Sequence, residues 1–433
     1  MRDRLLMKKY KNILLVLLCF ILAGCSKSLP DTYQEGSDYQ YMEKKTFSAY
    51  HQTGEDVHYF AHGHYIYYMD RESKIILPLC GKADCLHDKE TDSEKKQNCN
   101  AYMETESADT GIAYCNGYLY YLELSDFSAP VLYCLSADGT KKEQMYQWAD
   151  NVTIEQWIVH RDVLYYVEHI YLSEKDKTAE QYAVKALSLT GKMKKPGTIY
   201  KVEKNLDVFT VAHPQAYGNF LYFQVYAQKK TEEEVTKENF IEYQYLKTFI
   251  YDMKENEVRE LTLEGMGRND VIQGVTFWQG KVIFHPYKYE IDYMKPVTWY
   301  IADLDGTNAE IFMEGVGQGL TFLSDGKYLY LSNINMVYQG HDKGKRTYKI
   351  YDKNLKLVDT VGMPVEPIAD IAIGTPEFMY IYRDTGIGGK ESEGETEAEE
   401  GKEAEWGISY WDKSKIGSYH GDAFEMTDIK YKG

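Results

Sequence analysis

Gly117-Tyr118-Leu119-Tyr120-Tyr121 is a turn residue followed by an unbroken run of aromatic and aliphatic side chains. The same pattern stands at Gly63-His64-Tyr65-Ile66-Tyr67-Tyr68, at Asp162-Val163-Leu164-Tyr165-Tyr166 and at Gly218-Asn219-Phe220-Leu221-Tyr222-Phe223. It returns at Gly280-Lys281-Val282-Ile283-Phe284, at Gly326-Lys327-Tyr328-Leu329-Tyr330-Leu331 and at Glu377-Phe378-Met379-Tyr380-Ile381. Counted from the first strand position, the seven copies begin at residues 65, 118, 163, 220, 281, 328 and 378. Short runs rich in tyrosine and β-branched residues, bounded by turn residues, read as strands.

A second strand-like element follows most copies, as in Val131-Leu132-Tyr133-Cys134-Leu135 and Thr248-Phe249-Ile250-Tyr251-Asp252. Turns such as Asp138-Gly139 and Asp305-Gly306 are hairpin signals. Apart from a candidate at 232–241, no amphipathic helix intervenes. The chain is therefore all-β. Several short strands recurring every 45 to 61 residues predict a β-propeller of seven four-stranded blades. A sandwich or a pair of β domains would need no such period.

With the first element placed as the second strand of each blade, the turns before it are tight. The loops after it are long, at 168–182, 224–247, 285–297, 332–347 and 383–406. Loops on a rigid scaffold collect binding residues. The looped face is predicted to present Tyr171, Tyr243, Tyr245, His285, Tyr287, Tyr289, Tyr293, Tyr338 and His341. Rings with wet hydroxyls suit a glycan or a peptide. The last loop, 386–405, is nearly all Gly, Glu, Lys, Ala, Ser and Thr, and is predicted to be a disordered acidic segment inside a single domain, 42–433.

The N-terminus carries Arg2, Arg4, Lys8, Lys9 and Lys11, then an apolar run over 13–23. That run is too short for a permanent transmembrane helix and reads as a signal peptide, 1–24. It ends in Leu22-Ala23-Gly24-Cys25, which resembles the lipobox of bacterial lipoproteins. The resemblance implies cleavage before Cys25, diacylglycerol on its sulfur, and a position on the outer face of the cell membrane. Residues 25–41 are predicted to form a flexible tether. Loss of the leader moves the net charge from −18 to −22, a balance that repels nucleic acid.

Five cysteines remain in the body: Cys80, Cys85, Cys99, Cys115 and Cys134. The first three, with His87, bracket a charged stretch that has no apolar residue to hold it, in the predicted outer hairpin loop of blade one. His62 and His64 flank a turn at the same end. An exported protein favours a disulfide, and Cys85–Cys99 is the expected pair, with Cys80 the odd thiol. No cofactor is otherwise expected, and a Cys3His zinc site is the alternative. Cys115 and Cys134 read as buried small apolar residues.

Trp411-Asp412 is the only Trp-Asp pair, so these are not WD40 repeats. They resemble divergent TolB-like propellers. The segment Pro78-Leu79-Cys80-Gly81-Lys82-Ala83-Asp84-Cys85-Leu86-His87, followed by Cys99-Asn100-Ala101-Tyr102, resembles a family of Gram-positive propeller lipoproteins of unassigned function. That resemblance implies the fold and the address and supplies no catalytic residue.

No G-x-S-x-G elbow, H-E-x-x-H helix, phosphate-binding loop or dinucleotide fingerprint is present. Asp303-Leu304-Asp305-Gly306 lacks the distal glutamate of a calcium loop and reads as a hairpin turn. The expectation is a non-catalytic surface protein that binds a glycan, peptide or partner protein. The alternatives are a propeller glycoside hydrolase or polysaccharide lyase, working with carboxylates or with His285 and His341, and a scaffold in an envelope complex.

Overall fold

A computed structural model of the chain describes residues 30–39, 51–53 and most of 57–431, omitting internal stretches of which 172–179, 334–346 and 385–405 are the longest. Cys25, Tyr289, Tyr293, Tyr338, His341 and the acidic segment lie outside the described residues. Seven antiparallel four-stranded sheets follow one another along the chain. Blade one holds β1 (His51–Thr53), β2 (Val57–His62), β3 (Tyr65–Asp70) and β4 (Ile76–Pro78). Blade two holds β5 (Ile112–Cys115), β6 (Tyr118–Ser125), β7 (Ser128–Ser136) and β8 (Lys142–Gln147). Blades three to seven are β9–β12 (152–201), β13–β16 (206–260), β17–β20 (271–317), β21–β24 (321–362) and β25–β28 (370–430). The chain is a seven-bladed β-propeller.

The repeat marks a strand start in every blade, to within one residue. The turns before it explain its first letter. Asn116 and Gly117 have φ of +48° and +83°, and Gln279 and Gly280 have +50° and +72°. Two successive left-handed residues make the two-residue turn that matches the twist of a hairpin, and glycine takes the second position without strain. Arg161 and Asp162 adopt the same geometry in blade three, which is why that copy lacks glycine.

The run after the turn is continuous because each blade stacks against a neighbour on both faces. In β10 (Val163–Tyr171), Leu164 to His169 are all buried, while β16 (Glu257–Glu260) at the outer edge is mostly exposed. Burial of both faces removes the polar alternation of a half-wet strand. The ring closes by packing: Tyr380 of blade seven lies in one core with Phe60 and Tyr67 of blade one and stacks on His58 at 3.9 Å. The last blade takes its outer strand from β28 (Thr427–Lys430) near the C-terminus, which pairs with Trp406–Asp412.

Two segments depart from the predicted layout. In blade one the repeat is the third strand of its sheet, where blades two to seven have it second. The cysteine segment therefore follows β4 and forms the connection to blade two, not a hairpin loop inside blade one. The second departure is at the N-terminus. Within the stretch expected to be a flexible tether, residues 30–39 dock across the tight turns of blades two, three and four. Asn116 N–H donates to Gly36 O, Arg161 N–H to Ser37 O, and the Asn219 amide to the Asp31 carboxylate. Asp38 is fully buried and paired with Arg161, and the neighbouring Tyr39 packs into the core between blades three and four.

Candidate metal centre and adjoining cavity

The connection over 79–103 rests on the β7–β8 turn of blade two. Asp138 shapes that turn by accepting from Ser136 Oγ at 2.6 Å, Thr140 Oγ1 at 2.7 Å and Thr140 N–H at 3.0 Å. These bonds, with Ser136 foremost, hold its carboxyl down at about 2. Gly139 then receives the connection. A Cβ there would stand 2.8 Å from Cys80 N, so only glycine admits so close an approach. Its carbonyl accepts from Gly81 N–H at 2.9 Å and from the Asn100 amide at 2.8 Å.

Blade one secures the other side. Ile66 N–H donates to Ala101 O at 2.9 Å and Met103 N–H to His64 O at 2.7 Å. The Tyr65 hydroxyl donates to His87 O at 3.1 Å, and those of Tyr67 and Tyr431 donate to the Asp88 carboxylate. Between these anchors lies α1 (Ser93–Gln97), capped by Asp92, which accepts from Glu94 and Lys95 N–H at 2.9 and 3.2 Å.

These anchors converge four donor atoms. One ligand atom each from Cys80, Cys85, His87 and Cys99 all lie within 4.8 Å of one another, a set that can hold a metal ion. His87 Nδ1 is 3.7 Å from Cys99 Sγ. Peptide N–H groups point at the sulfurs: His87 N–H donates to Cys85 at 3.4 Å, those of Lys82 and Asn100 reach Cys80, and that of Ala101 reaches Cys99. Burial works against the Cys80 thiolate, but these donors and the neighbouring thiols outweigh it, and its pKa falls below the ordinary value. Burial and the charge of Cys80 push Cys99 up.

The expected Cys85–Cys99 disulfide is not formed, and all three thiols are free. Cys80 stands in the same cluster as Cys85 and Cys99, so the geometry singles out no one pair. His62 and His64 stand aside, the first near the Tyr67 ring and the second facing Met103 O and the Glu106 carboxylate. Cys115 and Cys134 are buried in blade two as expected, with thiols raised by burial to about 12 and about 11.

Beside the cluster, the connection and blade two enclose an open cavity of about 320 Å³. Lys82, Asn98, Asn100 and Tyr102 line it from the connection, and Glu123, Tyr133 and Lys142 from blade two. The Lys142 ammonium donates to Tyr102 O at 2.6 Å and lies 5.1 Å from the centre of the Tyr133 ring. Burial draws its pKa down while Glu123 draws it up. No pattern in the sequence announces this cavity, because its walls, the connection and blade two, are brought together only by folding.

The looped-face candidates scatter. Tyr171 is exposed beside His169, and Tyr243 bonds Glu233 at the surface. Tyr245 packs into the core between blades three and four, and Tyr287 is half-buried at the end of its strand. His285, predicted to face a ligand or act in catalysis, is 3% exposed against the Trp299 ring, and burial holds its pKa at about 4. It is a neutral core residue. The described residues do not bring these side chains together.

No family model matches the sequence, and no curated protein matches it. Solved structures do. A prolyl endopeptidase is similar over 92% of this chain and 50% of its own, with a TM-score of 0.52 and 10% identity. The β-propeller domain of the Trilobed protease from Pyrococcus furiosus, with an open velcro topology, matches over 91% and 96%, with a TM-score of 0.45 and 9% identity. A putative TolB from Agrobacterium tumefaciens matches over 61% and 80%, with a TM-score of 0.31 and 13% identity. The chain spans half the length of the prolyl endopeptidase. Likeness at this identity shows the β-propeller fold alone.

Proposed function

We propose that this chain is a non-catalytic binding protein on the outer face of the cell membrane, one of the TolB-like propeller lipoproteins of Gram-positive bacteria, anchored by lipid at Cys25. Its ligand is a glycan, peptide or partner protein, and its seat is the cavity between the connection and blade two. The observation that carries the reading is the cavity's lining. Two ammonium groups, two carboxylates (Glu104 and Glu123), amides and tyrosine rings face one open space, a mixture that orients a polar ligand. The docked segment 30–39 adds geometry. Cys25 precedes Pro30 by five residues, or at most about 18 Å of extended chain. That span holds the propeller close to the membrane surface.

For the hydrolase alternative the described residues offer His169 held between two carboxylates, Glu155 at 3.3 Å and Glu180 at 3.5 Å. That ring is stacked on Tyr182 and 5% exposed, which suits a structural role.

A glycan array and a peptide library, probed with the chain lacking its leader, test the reading. Lys142→Met and Glu123→Gln should each lower affinity for any hit by about tenfold or more, as expected for a polar contact inside a site. Unchanged affinity in both variants moves the seat elsewhere, and turnover of a bound glycan would establish the enzyme reading. Cys25→Ala should release the protein from membranes or leave an uncleaved precursor. A processed, unlipidated form that still fractionates with membranes would refute the anchor.

A further inference from the structure

We infer that Cys80 Sγ, Cys85 Sγ, Cys99 Sγ and His87 Nδ1 bind one zinc ion, and that this ion, in place of a disulfide, fixes the connection between blades one and two. A zinc tetrahedron with Zn–S of about 2.3 Å and Zn–N of about 2.0 Å has edges of roughly 3.5–3.8 Å. The 3.7 Å separation of His87 Nδ1 and Cys99 Sγ is such an edge, and all four atoms lie within 4.8 Å of one another. A disulfide needs two sulfurs about 2.0 Å apart and has no use for an imidazole or a third thiol.

Two further observations are independent of that spacing. Each sulfur is served by peptide N–H, from Lys82 and Asn100 to Cys80, from His87 to Cys85 and from Ala101 to Cys99. Such donors stabilise thiolates and are the outer partners that hold metal ligands in place. His87 has φ of +55°, a left-handed conformation that non-glycine residues seldom adopt. That conformation lets its N–H reach Cys85 while its ring reaches Cys99, and strain of this kind collects at functional positions.

Binding forms three Zn–S bonds and one Zn–N bond, and the thiol protons pass to solvent. Three thiolates leave the centre with one net negative charge, and the Lys142 ammonium lies near enough to Cys99 to interact with it. The ion has work to do here. Between Leu86 and Cys99 the connection buries no apolar side chain, so the metal supplies the order that a hydrophobic core supplies elsewhere. It also positions the wall of the cavity that carries Lys82, Asn98 and Asn100.

Elemental analysis of the full-length chain, purified without chelator, should find one zinc per chain. Exchange for cobalt(II) should give the visible bands and the thiolate charge-transfer band of a tetrahedral site. His87→Ala should weaken zinc by more than about tenfold, the loss that removal of even an outer partner can cause. Because a variant of a ligand can misfold, the unaltered protein supplies a second readout. Alkylation followed by peptide mass mapping should find Cys80, Cys85 and Cys99 protected until a chelator is added and reactive afterwards. A Cys85–Cys99 bridge in the intact mass, immediate reaction of all three thiols, or stoichiometric iron would each overturn the inference. Zinc content is read without any ligand, so failure here is distinguishable from failure of the binding reading.

Discussion

The connection 79–103 and the N-terminal segment 30–39 are both polar stretches laid over the tight-turn side of the propeller, and they are held by opposite means. The N-terminal segment relies on one buried ion pair. Arg161 bonds Asp38 through two nitrogens, at 2.5 and 3.0 Å, and spends its remaining donors on Pro30 O, Thr32 O and the Asn219 side chain. Charge and hydrogen bonds within the protein complete that site. Among the described residues the connection has no such pair and gathers three sulfurs and an imidazole instead, the set inferred above to hold an ion. A segment that is mostly polar can thus be ordered from within or from without, and the two cases respond differently to mutation, pH and chelation.

The largest effect should come from breaking the ion pair. Arg161→Ala leaves the Asp38 carboxylate buried without its partner, and loss of one member of a buried pair costs about 3–5 kcal/mol. Urea unfolding should show this drop with zinc content unchanged. If zinc is lost along with the segment, the two regions are not separate.

Acid should reach the N-terminal segment next. His160 accepts from Tyr39 N–H at Nδ1, 2.8 Å, and its Nε2 lies 2.8 Å from Gly218 O, so the neutral ring fits the site. Burial, only partly opposed by Asp38, lowers its pKa to about 4. A depressed histidine contributes stability that is full above the unfolded pKa of about 6.5 and is lost as pH falls from there to about 4, up to about 3 kcal/mol. Melting temperature against pH should fall across this window. His160→Gln should flatten its own share of that slope, leaving the similar share of His285. An unchanged slope would mean that the ring is not buried as described.

A smaller effect is expected from Gly139→Ala. The added Cβ would meet Cys80 N and Leu79 C at 2.8 Å, and overpacking of this kind costs about 1–3 kcal/mol. The displaced connection should bind zinc more weakly while segment 30–39 keeps its amide exchange protection. Equal loss of protection in both would erase the contrast between them.

The smallest effect should come from deleting 388–403 in the acidic segment. Its composition, nearly all Gly, Glu, Lys, Ala, Ser and Thr, cannot build an apolar core, and loop closure changes slowly with length, so stability should shift by less than about 1 kcal/mol. A large fall in melting temperature would show a third way of ordering a polar segment.

The fold was legible because its signal is local. Tyr118 to Leu122 and Leu164 to Val167 are apolar at every position, and the turns before them need left-handed residues, so strand, turn and period could all be read along the chain. The place of the repeat in blade one was not legible. It depended on His51–Thr53, three residues whose pairing with Val57–His62 shifts the count of strands by one. The candidate ligands Cys80, Cys85, His87 and Cys99 could be named from spacing and donor type. His285 could not be told from a surface histidine, because its burial comes from Trp299, fourteen residues further along the chain on the adjacent strand.

By itself, the sequence determined the architecture, the seven blades and the short roster of sulfur and imidazole donors, since each of these follows from neighbours in the chain. Only the tertiary structure decided how those donors meet, where the cavity opens and why residues 30–39 do not hang free. Asp38 and Arg161 are 123 residues apart, and Asn100 reaches a carbonyl at Gly139. Such contacts depend on how blades stack, and the stacking is set by apolar packing that is indifferent to which polar groups it brings together.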